Sequence, residues 1–186
     1  MNVIDNALPE NELTRLLDTM NEFEIRGGAS MWFGEPPDDL PTWWFDWDQE
    51  HVCKDIFLRL LNIAHNYFDI SFAAGYESWT NISVRPGLSE SYGWHRDKDE
   101  RLYLTEGILK FPICTLVYYP HIAGDIRGGV LELEDETITP LRNRLVVFGP
   151  GLWHNVKEFS GERTSLVINP WAEKICLTKC YDPNVK

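Results

Sequence analysis

The chain of 186 residues is 44% hydrophobic and 25% charged, which is typical of a globular protein, and we expect one domain over residues 1–186. Acidic residues outnumber basic ones by 29 to 17, and the formal net charge of -12 disfavours sequence-independent binding to nucleic acid, which requires a basic surface. No apolar run approaches the roughly 20 residues that span a bilayer, and the first residues lack the pattern of a signal peptide. We therefore expect a cytoplasmic protein without a nucleic-acid or membrane partner.

Two amphipathic helices are predicted before residue 75. In residues 9–23, and again in residues 49–68, apolar side chains recur three or four positions apart, so each helix has one apolar stripe. Pro9 suits the first turn of the first helix, and Gly27 with Gly28 suits its end. We expect the helices to cover one face of a sheet.

The segment between these helices, residues 31–48, is rich in aromatic residues and contains three prolines, which exclude a continuous helix. Two interpretations stay open. The segment is either an irregular loop that its indole rings hold against the core, or a wall or lid of a substrate groove. In both cases residues 1–75 form a helical and aromatic support for the rest of the chain.

From residue 77 onward, the period of the apolar residues changes to that of β-strands. Short strands are separated by turns rich in glycine and proline, a pattern typical of an antiparallel sandwich or barrel. The predicted strands cover residues 77–85, 111–119, 129–134, 145–148, 153–156 and 164–169, and a further strand contains His95. We expect this β-rich core to occupy residues 76–171.

The four cysteines fall into two groups. Cys53 and Cys114 lie in apolar segments and are expected to be buried thiols. Cys176 and Cys180 have three residues between them near the C-terminus, where they could form a disulfide or bind a metal. They lack histidine partners, and their role stays open.

Residues 92–97, with the sequence YGWHRD, carry metal-binding chemistry. In an extended strand His95 and Asp97 point to the same face, so an imidazole and a carboxylate form two corners of a metal site. Asp99 would share that face if the strand continued. His154 follows a turn rich in glycine and proline, and it would complete a facial triad of two histidines and one carboxylate, which leaves the remaining positions of an iron ion open.

Arg163 lies nine residues after His154 and begins an apolar strand. The His-x-Asp pair, the distal histidine and this arginine, taken in order, resemble the Fe(II)- and 2-oxoglutarate-dependent dioxygenases, most closely their prolyl-hydroxylase-like branch. The resemblance covers roughly residues 76–171. It implies a mainly β fold, a double-stranded β-helix (jelly roll) packed by two N-terminal helices, and a need for Fe(II), 2-oxoglutarate and O2. The family's spacing favours Asp97 over Asp99, so the implied iron ligands and catalytic residues are His95, Asp97 and His154.

The resemblance also implies a site for 2-oxoglutarate. In the family, a basic residue at the position of Arg163 binds the distal carboxylate, and a tyrosine at the position of Tyr119 helps to hold it. Thr115 shares a strand face with Tyr119, while Ser165 and Val167 continue the inward face of Arg163. We assign these five residues to cosubstrate binding.

Other positions concern the substrate. Tyr92 matches a tyrosine that lies beside the substrate in the prolyl-hydroxylase-like branch, and Trp94 flanks His95 on the same strand. Arg85 stands where animal members have a tyrosine near the inner carboxylate of 2-oxoglutarate, so it either takes over that contact, binds a substrate carboxylate or faces outward. Asn169 stands where nucleic-acid demethylases of the superfamily carry a second arginine, which argues against alkylated DNA or RNA as substrate.

The implied activity is hydroxylation of a C–H bond, because related halogenases lack the carboxylate that Asp97 supplies. A prolyl residue in a peptide or protein is the first predicted substrate, and a free amino acid or another small metabolite is the alternative. A jelly-roll module that binds a metal or a ligand without catalysis is the alternative from another class. Arg163 and Tyr119 argue against such a module, since a simple metal binder needs no anion clamp one strand away.

Overall fold

The computed structural model describes residues 1–25, 43–85, 91 and 93–175, without the side chains of residues 21–25, 43 and 82–85. Tyr92, Cys176, Cys180 and residues 31–42 of the predicted aromatic segment therefore lie outside the described residues. Within the described ranges, the chain is mainly β-structure and contains three helices.

The strands in chain order are β1 (Asn2–Asp5), β2 (Trp43–Asp46), β3 (Gly75–Arg85), β4 (Thr115–Ile122), β5 (Arg127–Gly128), β6 (Leu131–Leu133), β7 (Glu136–Ile138), β8 (Arg144–Phe148), β9 (His154–Val156) and β10 (Phe159–Trp171). The larger sheet has the order β1-β8-β4-β10-β3-β2, and β5 pairs with the start of β10. The smaller sheet has the order β7-β6-β9. All strand pairs are antiparallel, and the two sheets form the sandwich that the sequence predicts.

The two predicted helices are present as α1 (Glu10–Ile25) and α2 (Lys54–His65), and both contribute to one core cluster with the larger sheet. Of the predicted apolar stripe, Ile56, Leu60 and Ala64 are fully buried in α2, whereas Val52 and Tyr67 lie outside the ends of the helix and are exposed. Burial of a leucine or isoleucine side chain contributes about 1.5–3 kcal/mol, so this stripe attaches the helix firmly. Among the described residues, no helix is long and apolar enough to cross a membrane.

Alternation along β4 and β10 divides the interior into two clusters. Leu116 and Tyr118 of β4 pack with the helices, whereas Val117 and Tyr119 point between the two sheets. In β10 the same alternation sends Leu166 and Ile168 to the helices and Val167 to the inter-sheet cluster. Since side chains two apart share a face, this register turns Arg163 and Ser165 toward the space between the sheets.

The described end of the aromatic segment differs from the irregular loop, which was one of its two open interpretations. Residues 43–46 form the edge strand β2, which pairs with the start of β3. Gly75 permits this close approach, because a Cβ atom there would lie 2.4 Å from the carbonyl oxygen of Phe45. Phe45 is 1% exposed, so the strand is held by a buried ring as well as by its backbone. The sequence pattern did not predict β2, because this strand is short and follows a segment with several prolines.

The strand predicted around His95 is also corrected. His95 forms only an isolated bridge with His154, and the backbone from residue 96 to residue 99 is irregular. Asp99 then caps a short helix, α3 (Glu100–Glu106), by accepting a hydrogen bond from the backbone N–H of Leu102 at 3.0 Å. An N-cap aspartate is a strong local signal for a helix start. Asp99, which was the alternative to Asp97 as the carboxylate ligand, therefore acts as the N-cap of α3.

His51 gives a prediction about stability. Its ring packs 4.4 Å from that of Phe45, and its Nε2 atom lies 2.7 Å from the hydroxyl oxygen of Tyr76. Burial, together with the nearby charge of Lys54, lowers the pKa of His51 from 6.5 to about 4. Between these two values the unfolded chain binds a proton that the folded protein does not, so His51 lowers the stability as the pH falls through this window.

We expect the loss at this residue to be about 1–3 kcal/mol. The check is urea unfolding of the wild type and His51→Gln at pH 7 and pH 4.5. The carboxyl groups titrate alike in both proteins, so the wild type should lose more stability than the variant. An equal loss in the two proteins would contradict the prediction.

Candidate active site

Three side chains predicted as metal ligands meet at one point between the sheets. One ligand atom from each of His95, Asp97 and His154 lies within 4.8 Å of the others. His154 begins β9, and its backbone exchanges two hydrogen bonds of 2.9 Å with that of His95, which extends the smaller sheet by one residue. The sheet pairing therefore brings together two histidines that are far apart in the chain, with ring centroids 4.2 Å apart.

Both imidazole rings are oriented by backbone carbonyls. Nδ1 of His95 lies 2.8 Å from the carbonyl oxygen of Gly93, and Nδ1 of His154 lies 3.1 Å from that of Leu152. A carbonyl oxygen only accepts, so each Nδ1 carries the hydrogen and each Nε2 keeps a free lone pair. Nε2 of His154 lies 3.6 Å from Oδ1 of Asp97. Histidines that bind a metal ion usually donate one ring N–H to such an acceptor, which leaves the other ring nitrogen for the metal.

Electrostatics favours the neutral form of His154. Burial lowers the pKa of this imidazole, and His95 lowers it further, while the charge of Asp97 acts in the opposite direction. A metal ion binds imidazole only in its neutral form, so a histidine that resists protonation suits a ligand position.

Asp97 is held by two residues of the larger sheet. Its Oδ2 atom accepts hydrogen bonds from Oγ1 of Thr115 at 2.9 Å and from Nδ2 of Asn169 at 3.2 Å. Oδ1 is thereby left facing His154. The sequence assigns Thr115 to cosubstrate binding, whereas its hydroxyl hydrogen is donated to Asp97 in the structure. The hydrogen bond from Asn169 to Asp97 was not predicted from the sequence, which considered Asn169 only because it stands where some relatives have an arginine.

A cavity of about 360 Å³ opens between the sheets beside this group. The three candidate ligands line it, and so do the predicted residues Arg163, Ser165 and Val167. The sequence missed further lining residues: Glu77, Trp79, Asn81, Arg96, Lys98, Glu100, Val117, Leu131 and Val156. The first three alternate along β3, so the strand pattern held a usable signal for them once the inner face of β3 was known.

Arg163 is a buried cation without an ion pair. It is 2% exposed, and its Nη1 atom donates to the carbonyl oxygen of Gly129 at 3.2 Å. The rings of Phe159 and Tyr119 lie 5.0 and 5.6 Å from the guanidinium carbon. Within the described part of the chain, no carboxylate pairs with it. A buried unpaired charge is costly, so an anion that enters the cavity would find a prepared partner.

Tyr119 strengthens this argument. Its ring is fully buried, and its hydroxyl group makes no hydrogen bond with any described residue. Burial raises the pKa of Tyr119, with a smaller opposing effect from Arg163, so the hydroxyl keeps its proton. Buried polar groups are almost always satisfied in native proteins. An unsatisfied donor beside an unpaired guanidinium fits a carboxylate, such as the distal one of 2-oxoglutarate.

The remaining predicted site residues are not brought into this group. Trp94 is 50% exposed and does not line the cavity. Arg85 ends β3, where its backbone pairs with that of Gly161, but its side chain is outside the described part, as is all of Tyr92. Their predicted roles therefore remain predictions.

Fold and site together define a class of protein: a double-stranded β-helix with two histidines and an aspartate between its sheets and a buried arginine in the same cavity. Residues 81–173, half of the chain, match the model of the 2OG-Fe(II) oxygenase superfamily. The chain belongs to this superfamily and is an oxygenase that uses Fe(II), 2-oxoglutarate and O2. This membership favours catalysis over the non-enzymatic jelly-roll module.

Solved structures support the fold. A prolyl-4-hydroxylase from Pseudomonas putida is 17% identical with a TM-score of 0.59, over 93% of this chain and 88% of that chain. A 2OG-Fe(II) oxygenase family oxidoreductase from Burkholderia pseudomallei is 14% identical with a TM-score of 0.58, over 96% and 87%. The apoform of EctD from S. alaskensis is 12% identical with a TM-score of 0.63, over 94% and 74%. No curated protein sequence matches the chain.

Proposed function

We propose that this oxygenase hydroxylates a prolyl residue in a peptide or protein, with His95, Asp97 and His154 holding Fe(II). One observation carries the proposal: a group of three metal-donor atoms and a buried guanidinium with no ion pair among the described residues line the same cavity. The first fits the iron and the second fits the far end of 2-oxoglutarate. The fold shared with a prolyl-4-hydroxylase and the half-buried Trp79 in the cavity wall support a compact, apolar target such as a prolyl ring.

The bound iron would supply the oxidising chemistry, in which O2 and 2-oxoglutarate yield succinate, CO2 and one hydroxyl group on the substrate carbon. The protein residues mainly position groups and exclude water. Thr115 and Asn169 hold Oδ2 of Asp97, so that Oδ1 is the oxygen presented to the metal. Arg163 and Tyr119 bind the distal carboxylate of 2-oxoglutarate through charge-assisted and neutral hydrogen bonds. Val167 and Ser165 complete the wall beside it.

A free amino acid or small metabolite is the second candidate. Arg96 in the cavity favours it, because this cation has no ion pair with a described residue and such a substrate has a carboxylate to bind. Mass spectrometry of the holoenzyme with proline-containing peptides, matched peptides with alanine for proline, and free amino acids tests both. A gain of one oxygen in the proline peptides alone supports the first candidate. Hydroxylation of a free amino acid alone would replace it with the second.

The support of Asp97 leads to a separate prediction. Thr115→Val keeps the size of the side chain but removes the hydrogen bond to Oδ2 of Asp97, and loss of such a ligand-supporting contact typically weakens metal binding about 10- to 100-fold. We expect Mn(II), a stand-in for Fe(II) that needs no anaerobic handling, to bind Thr115→Val at least about tenfold more weakly than the wild type. Titration followed by electron paramagnetic resonance measures this.

Thr105→Val is the matched control. The hydroxyl group of Thr105 donates a hydrogen bond to the carbonyl oxygen of Arg101 on the exposed face of α3, and not to any of the three candidate metal ligands. It should bind Mn(II) as the wild type does. Equal affinities of the Thr115 variant and the wild type would show that Asp97 needs no support from Thr115.

A further inference from the structure

Arg96, between the candidate ligands His95 and Asp97, lines the cavity and is held by aromatic rings. Its guanidinium carbon lies 4.7 Å from the ring centroid of Trp153 and 5.3 Å from that of Phe111. Gly151 has φ +66, and a Cβ atom there would lie 3.1 Å from the ring of Phe111, so glycine lets this ring pack closely on the turn before Trp153. Both rings therefore make cation–π contacts with the guanidinium group, and these contacts restrict its position.

The guanidinium donors of Arg96 are free as far as the described part of the chain is concerned. Arg96 makes no hydrogen bond or ion pair with any described residue. The neighbouring acids are engaged elsewhere: Glu100 pairs with Lys98, and Glu77 accepts from the indole N–H of Trp171 at 3.3 Å. Asp97 is held by Thr115 and Asn169. A planar fork of donors that is held by cation–π contacts and has no acceptor among the described residues is suited to bidentate binding of a carboxylate.

Charge indicates the kind of anion. The cavity is lined by three cations, of which Lys98 is neutralised by Glu100 and Arg163 lies deepest, at 2% exposure beside Tyr119. Arg163 suits the distal carboxylate of 2-oxoglutarate. Arg96 is then the lining cation that remains without an ion pair among the described residues, and its two-pronged donor group fits the two oxygens of a carboxylate.

We propose that Arg96 binds a carboxylate group of the substrate and thereby sets substrate specificity, an inference that rests on the proposed function. The carboxylate has two possible sources with the same chemistry. It is either the α-carboxylate of a free amino acid, or an acidic side chain beside the prolyl residue of a peptide.

The test is a binding measurement on protein loaded with Zn(II) and 2-oxoglutarate, since zinc has no redox chemistry and the substrate is not consumed. Isothermal titration compares each acid with its uncharged partner: L-proline with L-prolinamide, and blocked Pro-Glu and Glu-Pro peptides with Pro-Gln and Gln-Pro. We expect the acid of one pair to bind about 10- to 100-fold more tightly than its partner, as a charge-assisted contact predicts. The pair that shows the preference identifies the source of the carboxylate.

Variants separate recognition from structure. Arg96→Gln should remove the preference for the acid, Arg96→Lys should keep part of it, and 2-oxoglutarate affinity should be unchanged in both. Arg101→Gln, at an exposed position of α3, is the control for loss of one positive charge and should behave as the wild type. A purely structural Arg96 would lower the melting temperature of Arg96→Gln and leave the preference intact.

Three results would overturn the inference: equal binding of acid and partner in every wild-type pair, a preference that persists in Arg96→Gln, or a weakened 2-oxoglutarate affinity in that variant.

A failure of this inference can be distinguished from a failure of the proposed function. A preference for acids without hydroxylation of any proline compound refutes the prolyl substrate and keeps the role of Arg96. Hydroxylation of acidic and neutral peptides with equal kcat/KM keeps the prolyl substrate and refutes the role of Arg96.

Discussion

His154→Ala is expected to abolish succinate formation while the protein stays folded. The substitution removes one of the three donor groups that lie within 4.8 Å of one another, and two remaining ligands hold Fe(II) poorly. The backbone bridge to His95 does not depend on the imidazole, so the edge of the smaller sheet should persist. Destabilisation should stay within the range of about 0.5–3 kcal/mol that is common for single substitutions.

Two measurements check this expectation. The visible charge-transfer band that forms when Fe(II) and 2-oxoglutarate are added without oxygen should be absent in the variant, and circular dichroism should show native secondary structure. His65→Ala, on the exposed end of α2, is the matched control and should keep both the band and turnover. A His154→Ala protein that binds Fe(II) and turns over normally would disprove the ligand assignment.

Arg163→Met is expected to give the second largest effect, a strong loss of 2-oxoglutarate affinity. Truncating one partner of a desolvated charge pair costs roughly 2–5 kcal/mol, which corresponds to about 30- to 5,000-fold in the Kd for 2-oxoglutarate. Tyr119→Phe removes one neutral hydrogen bond and should raise this Kd only about 2- to 10-fold. Anaerobic titration of the charge-transfer band measures both values.

Without cosubstrate, the free energy of unfolding of Arg163→Met is expected to stay the same or to rise, although its affinity for 2-oxoglutarate falls. Without cosubstrate, Arg163 is a buried cation with no carboxylate partner among the described residues, and replacing it by an apolar side chain of similar length is expected to be neutral or stabilising. Urea unfolding in the absence of 2-oxoglutarate tests this. Arg142→Ala, which removes a surface pair with Glu10, should leave the 2-oxoglutarate Kd unchanged. Equal effects of the Arg163 and Tyr119 variants on affinity would contradict the anion clamp.

Much of the fold could be predicted from the local periodicity of apolar residues in the sequence. The helical period in residues 9–23 and 49–68 located α1 and α2 within a few residues, and the strand period located most of the larger sheet. These signals are reliable because an element that buries one face must repeat its apolar residues at its own period. The strands β1 and β2 and the helix α3 are too short for a period to be visible, and only their pairing or capping defines them.

The sequence by itself determined the residue types of the site, because the His-x-Asp pair, the distal histidine and the arginine nine residues later are readable as spacing. Only the tertiary structure decided which side chains meet them. Thr115 and Asn169 reach Asp97 from 18 and 72 residues away. The guanidinium of Arg96 lies over two rings from separate segments, and Asp99 caps α3. The physical reason is that periodicity records which face of an element is buried, whereas the register between strands and the packing of the two sheets select the partners across that buried space.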